Sequence, residues 1–216
     1  MTKEPQRGSI LSPEEQDLLR EIMNIGFGSA AADLADVIDL YVQLSVPTVT
    51  AIPATEIIDY IRETMPDSHE ISIIEQNFWS KFQGMALLVF GAETGRALLD
   101  LIGDINEQAF ESDPMRVLEK EMLMEIGNIL TGACVGKVAE LLGDVVIYSP
   151  PRSLIGTIED ANVSKTTFHP GNFVIILQTV FRFGNQDVRG YLFLIINHDS
   201  IRWLRRALKA FISQYE

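Results

Sequence analysis

Hydrophobic residues recur at helical spacing in two long stretches of the chain. The first stretch opens with a helix start signal, because Ser12 can cap the helix, Pro13 suits its first turn and Glu15 completes a capping box. Its apolar positions are Leu18, Leu19, Ile22, Ile25, Ala32, Leu34 and Ile38. The second stretch opens at Asp113 and Pro114, with apolar positions at Leu118, Met122, Leu123, Ile126, Ile129, Val138, Leu141 and Leu142. We predict two helices of about 25 residues each.

Shorter apolar runs after each helix indicate β-strands. The segments VQLSVPTVTAI and DVVIYSPP follow the first and second helix, respectively. Longer runs at 70–90 and 171–196 predict two strand pairs, and the second breaks at the hairpin signal FGNQD over 183–187. A shorter helix is expected after each pair, at 92–102 and at 200–212. The order helix, strands, strand pair, helix therefore occurs twice.

The two halves of the chain repeat one another at an offset of 104 residues. The matched positions are Leu19 and Leu123, Glu21 and Glu125, Ile22 and Ile126, Asn24 and Asn128, Ile25 and Ile129, Gly28 and Gly132, Ala35 and Ala139, Ser45 and Ser149, and Pro47 and Pro151. The polar segment between the halves is short, so separate domains are not expected. We predict a single domain over 1–216, made of two repeats at about 10–104 and 112–214 that share one sheet around a pseudo-twofold axis.

Composition and charge narrow the class of protein. The chain has 216 residues, of which 47% are hydrophobic and 22% charged, as in globular proteins. Its one cysteine cannot form an internal disulfide, and no signal-peptide core or membrane-length apolar run is present. We therefore expect a cytoplasmic protein with no membrane insertion. The net charge of −13 argues against nucleic-acid binding and serves either solubility or a partner with basic groups.

The repeated polar residues form a stripe on each long helix. Asp17, Glu21 and Asn24 are spaced i, i+4 and i+7, and therefore share one helix face. Glu121, Glu125 and Asn128 repeat this stripe in the second helix. For one copy alone, a structural explanation leads, since acidic residues favour helix starts and an exposed Asn costs little. Two copies favour a function, although an ancient duplication that has not drifted at these positions is an alternative.

Other residues that could carry chemistry form no recognisable set. His69, His169 and His198 lack metal-ligand spacing, and Cys134 matches Ala30, as a small core residue would. The glycines and alanines of GFGSAAA and TGACVG are expected to allow close packing of the helices. Pro47 and Pro151 are expected to turn the chain out of a strand and fix the adjoining segment beside the helix. We expect no metal or cofactor of the protein's own.

The complete pattern resembles the signature of a known family. Asp/Ser-x-x-x-Glu-x-x-Asn, then 22 residues, then Pro is typical of the CheC/CheX/FliY family of chemotaxis phosphatases. It reads Asp17, Glu21, Asn24 and Pro47 here, and again Glu121, Glu125, Asn128 and Pro151. Glu121 departs from the usual Asp or Ser. NIGFGSAA and NILTGA are also similar to CheC sequences, and the likeness covers about residues 10–212. We expect the two-site CheC type, since CheX has one site and FliY and FliM relatives carry a further C-terminal switch domain.

The resemblance implies a fold and an activity. The fold would be α+β, mainly an antiparallel sheet with the two long active-site helices on one face. The activity would be hydrolysis of the aspartyl phosphate on a CheY-type response regulator, which brings its own Mg²⁺. Asn24 and Asn128 would orient the attacking water, Glu21 and Glu125 would pair with a lysine of the regulator, and Asp17 and Glu121 would contribute less directly. The alternatives are an adaptor that binds and regulates the receptor deamidase CheD, and a ligand-binding protein without enzymatic activity.

Overall fold

The structure is a computed structural model that describes residues 10–39, 41–65, 71–91, 113–156, 171–183 and 186–213. Its helices are α1 (Pro13–Ile38), α2 (Ile57–Thr64), α3 (Asp113–Leu141) and α4 (His198–Ile212), and a 3-10 turn (Ala54–Glu56) precedes α2. Its strands are β1 (Val42–Leu44), β2 (Thr48–Pro53), β3 (Ile71–Trp79), β4 (Gly84–Gly91), β5 (Ile147–Tyr148), β6 (Arg152–Gly156), β7 (Phe173–Phe183) and β8 (Gln186–Ile196).

Most of the predicted elements are confirmed. The two long helices have 26 and 29 residues, and the runs at 70–90 and 171–196 each form an antiparallel strand pair. The C-terminal helix is present, and the structure adds the short helix α2, which was not predicted. The helix predicted at 92–102 lies outside the described residues.

The eight strands within the described ranges belong to one antiparallel sheet, to which both halves of the chain contribute. Its order is β1-β7-β8-β4-β3-β5, with β2 also paired to β7 and β6 also paired to β3. The short strands of each half thus pair with the long hairpin of the other half. Because each half lends its short strands to the hairpin of the other half, neither half forms a complete sheet by itself.

The centre of the sheet is symmetric in register. In the pairing of β4 with β8, Gly84 faces Ile196 and Phe90 faces Gly190. Gly84 and Gly190 occupy comparable positions in the sequences QGMALLVF and RGYLFLII of the two halves, so each glycine faces the residue six positions after the other one. Both glycines are sterically required, since an added Cβ would lie 2.1 Å from the Ile195 carbonyl oxygen at Gly84 and 2.2 Å from the Phe181 ring at Gly190.

Both faces of the sheet are buried. Successive side chains of the central strands point to opposite faces, and each face is covered by its own hydrophobic core. One core lies under α1, α3 and α4, and the other lies under α2. In β4, Ala86, Leu88 and Phe90 face the first core, and Leu87 and Val89 face the second. Burial on both sides explains the near-continuous apolar run in this strand. The mixed α+β class, with both long helices on one face, is confirmed.

Close packing holds α1 and α3 together and presses α3 onto the sheet. A Cβ at Gly26 would lie 3.1 Å from the Ala133 carbonyl oxygen, and a Cβ at Gly127 would lie 2.5 Å from Ile74 Cγ2 on β3. Part of α3, Val117–Leu141, is the one described segment long and apolar enough to cross a membrane by composition, but half of its most apolar window is buried in the protein. The packing accounts for its apolar character.

The buried face of α1 differs from the predicted one. Leu19, Ile22 and Leu34 are buried as expected, but Ile25 is 52% exposed and Ala32 is exposed. The structure buries Met23, Phe27 and Ala30 instead. The helix contacts both the sheet and α3, so its covered face is wider and rotated relative to a single apolar stripe.

Candidate functional site

The predicted site residues of the first half lie on the solvent side of α1. Asp17 and Glu21 are exposed, and Asn24 is half-buried. Asp17 accepts a hydrogen bond from Arg20 Nη2 at 2.6 Å, and both side chains are largely exposed. The Asn24 amide makes no hydrogen bond with the residues that the structure describes. Considering the described residues alone, the first-half stripe therefore presents two groups without a hydrogen-bond partner, the Glu21 carboxylate and the Asn24 carboxamide, about one turn apart.

The second half repeats this stripe on α3 with one difference. Glu121, Glu125 and Asn128 are all exposed. The Asn128 amide is held from below, because its Oδ1 accepts a hydrogen bond from Gln76 Nε2 at 2.8 Å. Both helices therefore offer a carboxylate and a carboxamide to solvent, but only the second amide is tied to the sheet within the described part of the chain.

The matched prolines complete two bulges in the sheet. Leu44 pairs with Phe181 and Thr48 with Gln178, so residues 45–47 lie opposite two residues of β7, and Pro47 closes the bulge. Between β5 and β6, residues 149–151 lie in the same way opposite two residues of β3, and Pro151 closes that bulge. A proline suits this position because a bulge releases the chain from the ladder. The structural role expected of Pro47 and Pro151 stays a prediction.

A serine at the start of each bulge binds the strand opposite. Ser149 N donates to the Asn77 carbonyl oxygen at 2.9 Å, and Ser149 Oγ accepts from Asn77 N at 3.0 Å. Ser45 makes the same two bonds with Val180, at 3.1 and 3.0 Å. The serine side chain thus replaces a ladder acceptor that the bulge removes. Gln76 and Thr179, which precede Asn77 and Val180, consequently occupy equivalent places beneath the two helices.

Two features of the site surface differ from the predictions made from the sequence. Ile25, directly after Asn24, is exposed, although its helical spacing placed it in the core. Gly28 and Gly132 were expected to allow close packing, but a Cβ on either would meet nothing within 4 Å. They lie one turn after Asn24 and Asn128, on the same face. Only the tertiary contacts of α1 and α3 distinguish them from Gly26, which does pack closely.

Two ionisable groups near the long helices have raised pKa values. Burial raises the pKa of the Cys134 thiol well above its usual range. The pKa of Tyr148 is raised to about 12, mainly by burial and to a smaller extent by the nearby Cys134. Tyr148 donates to the Gly132 carbonyl oxygen at 3.3 Å. Among the described residues, no group of three or more His, Cys, Asp or Glu side chains is placed to hold a metal ion.

Comparison with known proteins finds a family whose matched segments include most of both long helices. The CheC-like family matches residues 14–50 and 118–155, which contain both Glu-Asn stripes and both prolines. The chain is 22% identical over 206 residues to the CheY-P phosphatase CheC of Bacillus subtilis, covering 93% of this chain and 96% of CheC. The chain is a homologue of CheC. The resemblance read from the sequence is thus confirmed.

A second curated relative and a solved structure extend the comparison. The flagellar motor switch phosphatase FliY of Bacillus subtilis is 29% identical over 157 residues, which are 72% of this chain and 39% of FliY. The chain therefore matches well under half of FliY's length but nearly all of CheC's. The crystal structure of Thermotoga maritima FliY superposes with a TM-score of 0.72 at 22% identity, covering 94% of this chain and 99% of that one. Its likeness concerns the fold.

Proposed function

We propose that this protein is a cytoplasmic phosphatase that stimulates hydrolysis of the aspartyl phosphate on a CheY-type response regulator. The observation that carries the proposal is the paired arrangement of Glu21 with Asn24 and Glu125 with Asn128, at the surface of two matched helices. The CheC homologue, whose name gives CheY-P as its substrate, supports the reaction class. Each amide is within reach of a partner protein.

Asn24 and Asn128 are the proposed catalytic residues. Phosphoryl hydrolysis depends mainly on positioning a water in line with the leaving oxygen and on supporting charge. A carboxamide can accept a hydrogen bond from that water without adding negative charge beside the phosphoryl oxygens. The aspartyl phosphate and its Mg²⁺ belong to the regulator, so this chain needs to supply neither a nucleophile nor a metal ion.

The neighbouring residues are proposed to dock the regulator. Glu21 and Glu125 lie one turn before the asparagines and are exposed, which suits an ion pair with a lysine of the partner. Ile25 adds an exposed apolar contact to the first site, and Gly28 and Gly132 leave the helix surface flat where a partner backbone would approach. Together these residues form an acidic and partly apolar docking strip along each helix.

The direct test is dephosphorylation of a regulator by Asn variants. CheY-type regulators from the same organism are phosphorylated with acetyl phosphate in Mg²⁺, and phosphate loss is followed with and without this protein. We expect Asn24→Ala with Asn128→Ala to abolish stimulation, a loss on the order of a hundredfold, with unchanged circular dichroism. Equal stimulation by the double variant would contradict the proposal. Binding of CheD by the wild type without any stimulation of a regulator would favour the adaptor instead.

A further inference from the structure

A buried glutamine lies directly beneath one of the two proposed catalytic amides. Gln76 on β3 is 2% exposed, and its Nε2 donates to Asn128 Oδ1 at 2.8 Å and to the Ser149 carbonyl oxygen at 2.9 Å. Both hydrogens of the Gln76 amide are therefore used. Its Oε1 is buried without a hydrogen-bond partner among the described residues, so the side chain forgoes one bond in this arrangement.

The two bonds fix the orientation of the Asn128 amide. The Ser149 carbonyl can only accept, so Gln76 must turn its Nε2 toward it. The second Nε2 hydrogen then points at Asn128, which must answer with Oδ1 rather than Nδ2. One lone pair of Oδ1 is thereby occupied, the other remains available, and Nδ2 is directed away from Gln76. Asn128 thus has its rotamer and its amide orientation set before any partner arrives.

The described residues give no such support to Asn24 in the first half. Thr179 occupies the place equivalent to Gln76, and its hydroxyl donates to the Ser45 carbonyl oxygen at 2.8 Å, as Gln76 does to Ser149. The single donor of the threonine hydroxyl is used by Ser45, and no hydrogen bond joins Thr179 to Asn24 in the described part of the chain. Asn24 must instead find its orientation when the regulator binds, at a cost in side-chain entropy.

We propose that Gln76 is a positioning residue that preorganises Asn128, so that the site on α3 is set for catalysis while the site on α1 is not. The inference rests on the proposed phosphatase function and deepens it. A rotamer fixed in advance lowers the barrier of the chemical step without adding contacts to the regulator. Gln76 should therefore affect kcat, and KM should change little.

The test isolates each site before changing the glutamine. In an Asn24→Ala background only Asn128 can act, and in an Asn128→Ala background only Asn24 can act. Gln76→Met keeps the length and the apolar stem but removes both donors. With the regulator most strongly stimulated by the wild type as the probe, we expect this substitution to lower kcat roughly tenfold in the first background, with KM unchanged, and to leave the second background unaffected.

Thr179→Val is the matched control, because it removes the equivalent bond to Ser45 in the other half. We expect it to leave the Asn128-only variant unchanged. A second readout does not depend on activity. In ¹⁵N spectra the side-chain amide of Gln76 should exchange slowly with solvent, and it should shift in Asn128→Ala but not in Asn24→Ala.

The outcomes separate the two proposals. Full stimulation by the variant that lacks both asparagines defeats the phosphatase site, and the inference fails with it. Loss of stimulation in that variant, combined with no effect of Gln76→Met on the Asn128-only protein, overturns the inference alone. An equal loss in both backgrounds overturns it as well, because general damage would then explain the result. An inactive Asn128-only protein also contradicts it, since the preorganised site should be active.

Discussion

The Glu15 carboxylate at the start of α1 accepts hydrogen bonds from Arg205 Nε of α4, at 3.2 Å through Oε1 and 3.1 Å through Oε2. The same carboxylate accepts from Ser12 N at 2.9 Å, and Ser12 Oγ accepts from Glu15 N at 3.2 Å, which completes a capping box. Glu15 is 1% exposed and Arg205 is 40% exposed. One buried carboxylate thus ties the start of the first long helix to the last helix of the chain.

Glu15 should therefore contribute measurably to stability. We expect Glu15→Ala to lower the free energy of unfolding by about 2 kcal/mol, because both the Ser12 amide and the Arg205 guanidinium lose a charged acceptor. Urea denaturation followed by circular dichroism measures the change. Asp59→Ala is the control. The Asp59 carboxylate is exposed, and its Oδ1 lies 3.8 Å from Nη1 of the exposed Arg62, which is a long distance for an ion pair. A loss at Glu15 no larger than at Asp59 would show that the cap and the ion pair contribute nothing.

The two classes of helical glycine should respond in opposite ways to alanine. At Gly28 a Cβ meets nothing within 4 Å, so Gly28→Ala should raise the free energy of unfolding by roughly 0.5–1 kcal/mol through better helix propensity. At Gly127 the Cβ would lie 2.5 Å from Ile74 Cγ2, so Gly127→Ala should lower it by about 1–3 kcal/mol. Thermal and urea denaturation of the two variants provide the comparison.

The same substitution at Gly28 also probes the docking strip. Because Gly28 lies one turn after Asn24, we expect Gly28→Ala to raise KM for the phosphorylated regulator even though it stabilises the fold. A stabilised variant with unchanged KM would mean that the partner does not approach the helix at this point.

Glu21 and Glu125 should act through binding rather than through the chemical step. Replacing both by Gln removes two exposed negative charges, so KM for the regulator should rise and its dependence on salt should weaken, with kcat reduced less than in the Asn variants. Steady-state assays at low and high ionic strength measure both effects. Glu140→Gln is a suitable control on the same helix, since Glu140 is paired with Lys137 at 2.9 Å, away from the Glu-Asn stripe. A KM that matches the wild type at every salt concentration would remove the glutamates from docking.

The Cys134 thiol should be chemically silent in the folded protein. It is fully buried, and burial raises its pKa, so the reactive thiolate is suppressed. We expect no reaction with DTNB at pH 8 in the native state and complete reaction in urea. Rapid labelling of the native protein would contradict the burial.

The same pKa shift gives a pH dependence of stability. The unfolded thiol ionises first because its pKa is lower than that of the folded thiol, so stability from this group is complete below the unfolded pKa and falls as the pH rises above about 9. The slope should approach about 1.4 kcal/mol per pH unit for one group. Cys134→Ala, which copies Ala30 of the first half, should lack this component. Parallel curves for the two proteins between pH 9 and 10 would count against the shift.

Local spacing was enough to reveal much of this protein. Ser12 and Glu15 are three residues apart, so their capping box could be read from the sequence, and the Glu-x-x-Asn stripes follow from the helical repeat alone. The repeated residues at an offset of 104 indicated a duplication, and the apolar runs that contain β4 and β8 indicated strands. The functional roles of Glu21, Asn24, Glu125 and Asn128 stay predictions, as do the single domain over 1–216 and the boundaries of its two repeats.

Tertiary structure alone decided which partner each of these residues has. Glu15 meets Arg205 and Asn128 meets Gln76 across separations of 190 and 52 residues, and β1 and β2 pair with a strand of the other half. The exposure of Ile25 depends on how α1 is rotated against α3 and the sheet. Periodicity fixes which residues share a helix face, because that is set by backbone geometry. Which face is covered depends on how distant segments pack, and no local pattern encodes that.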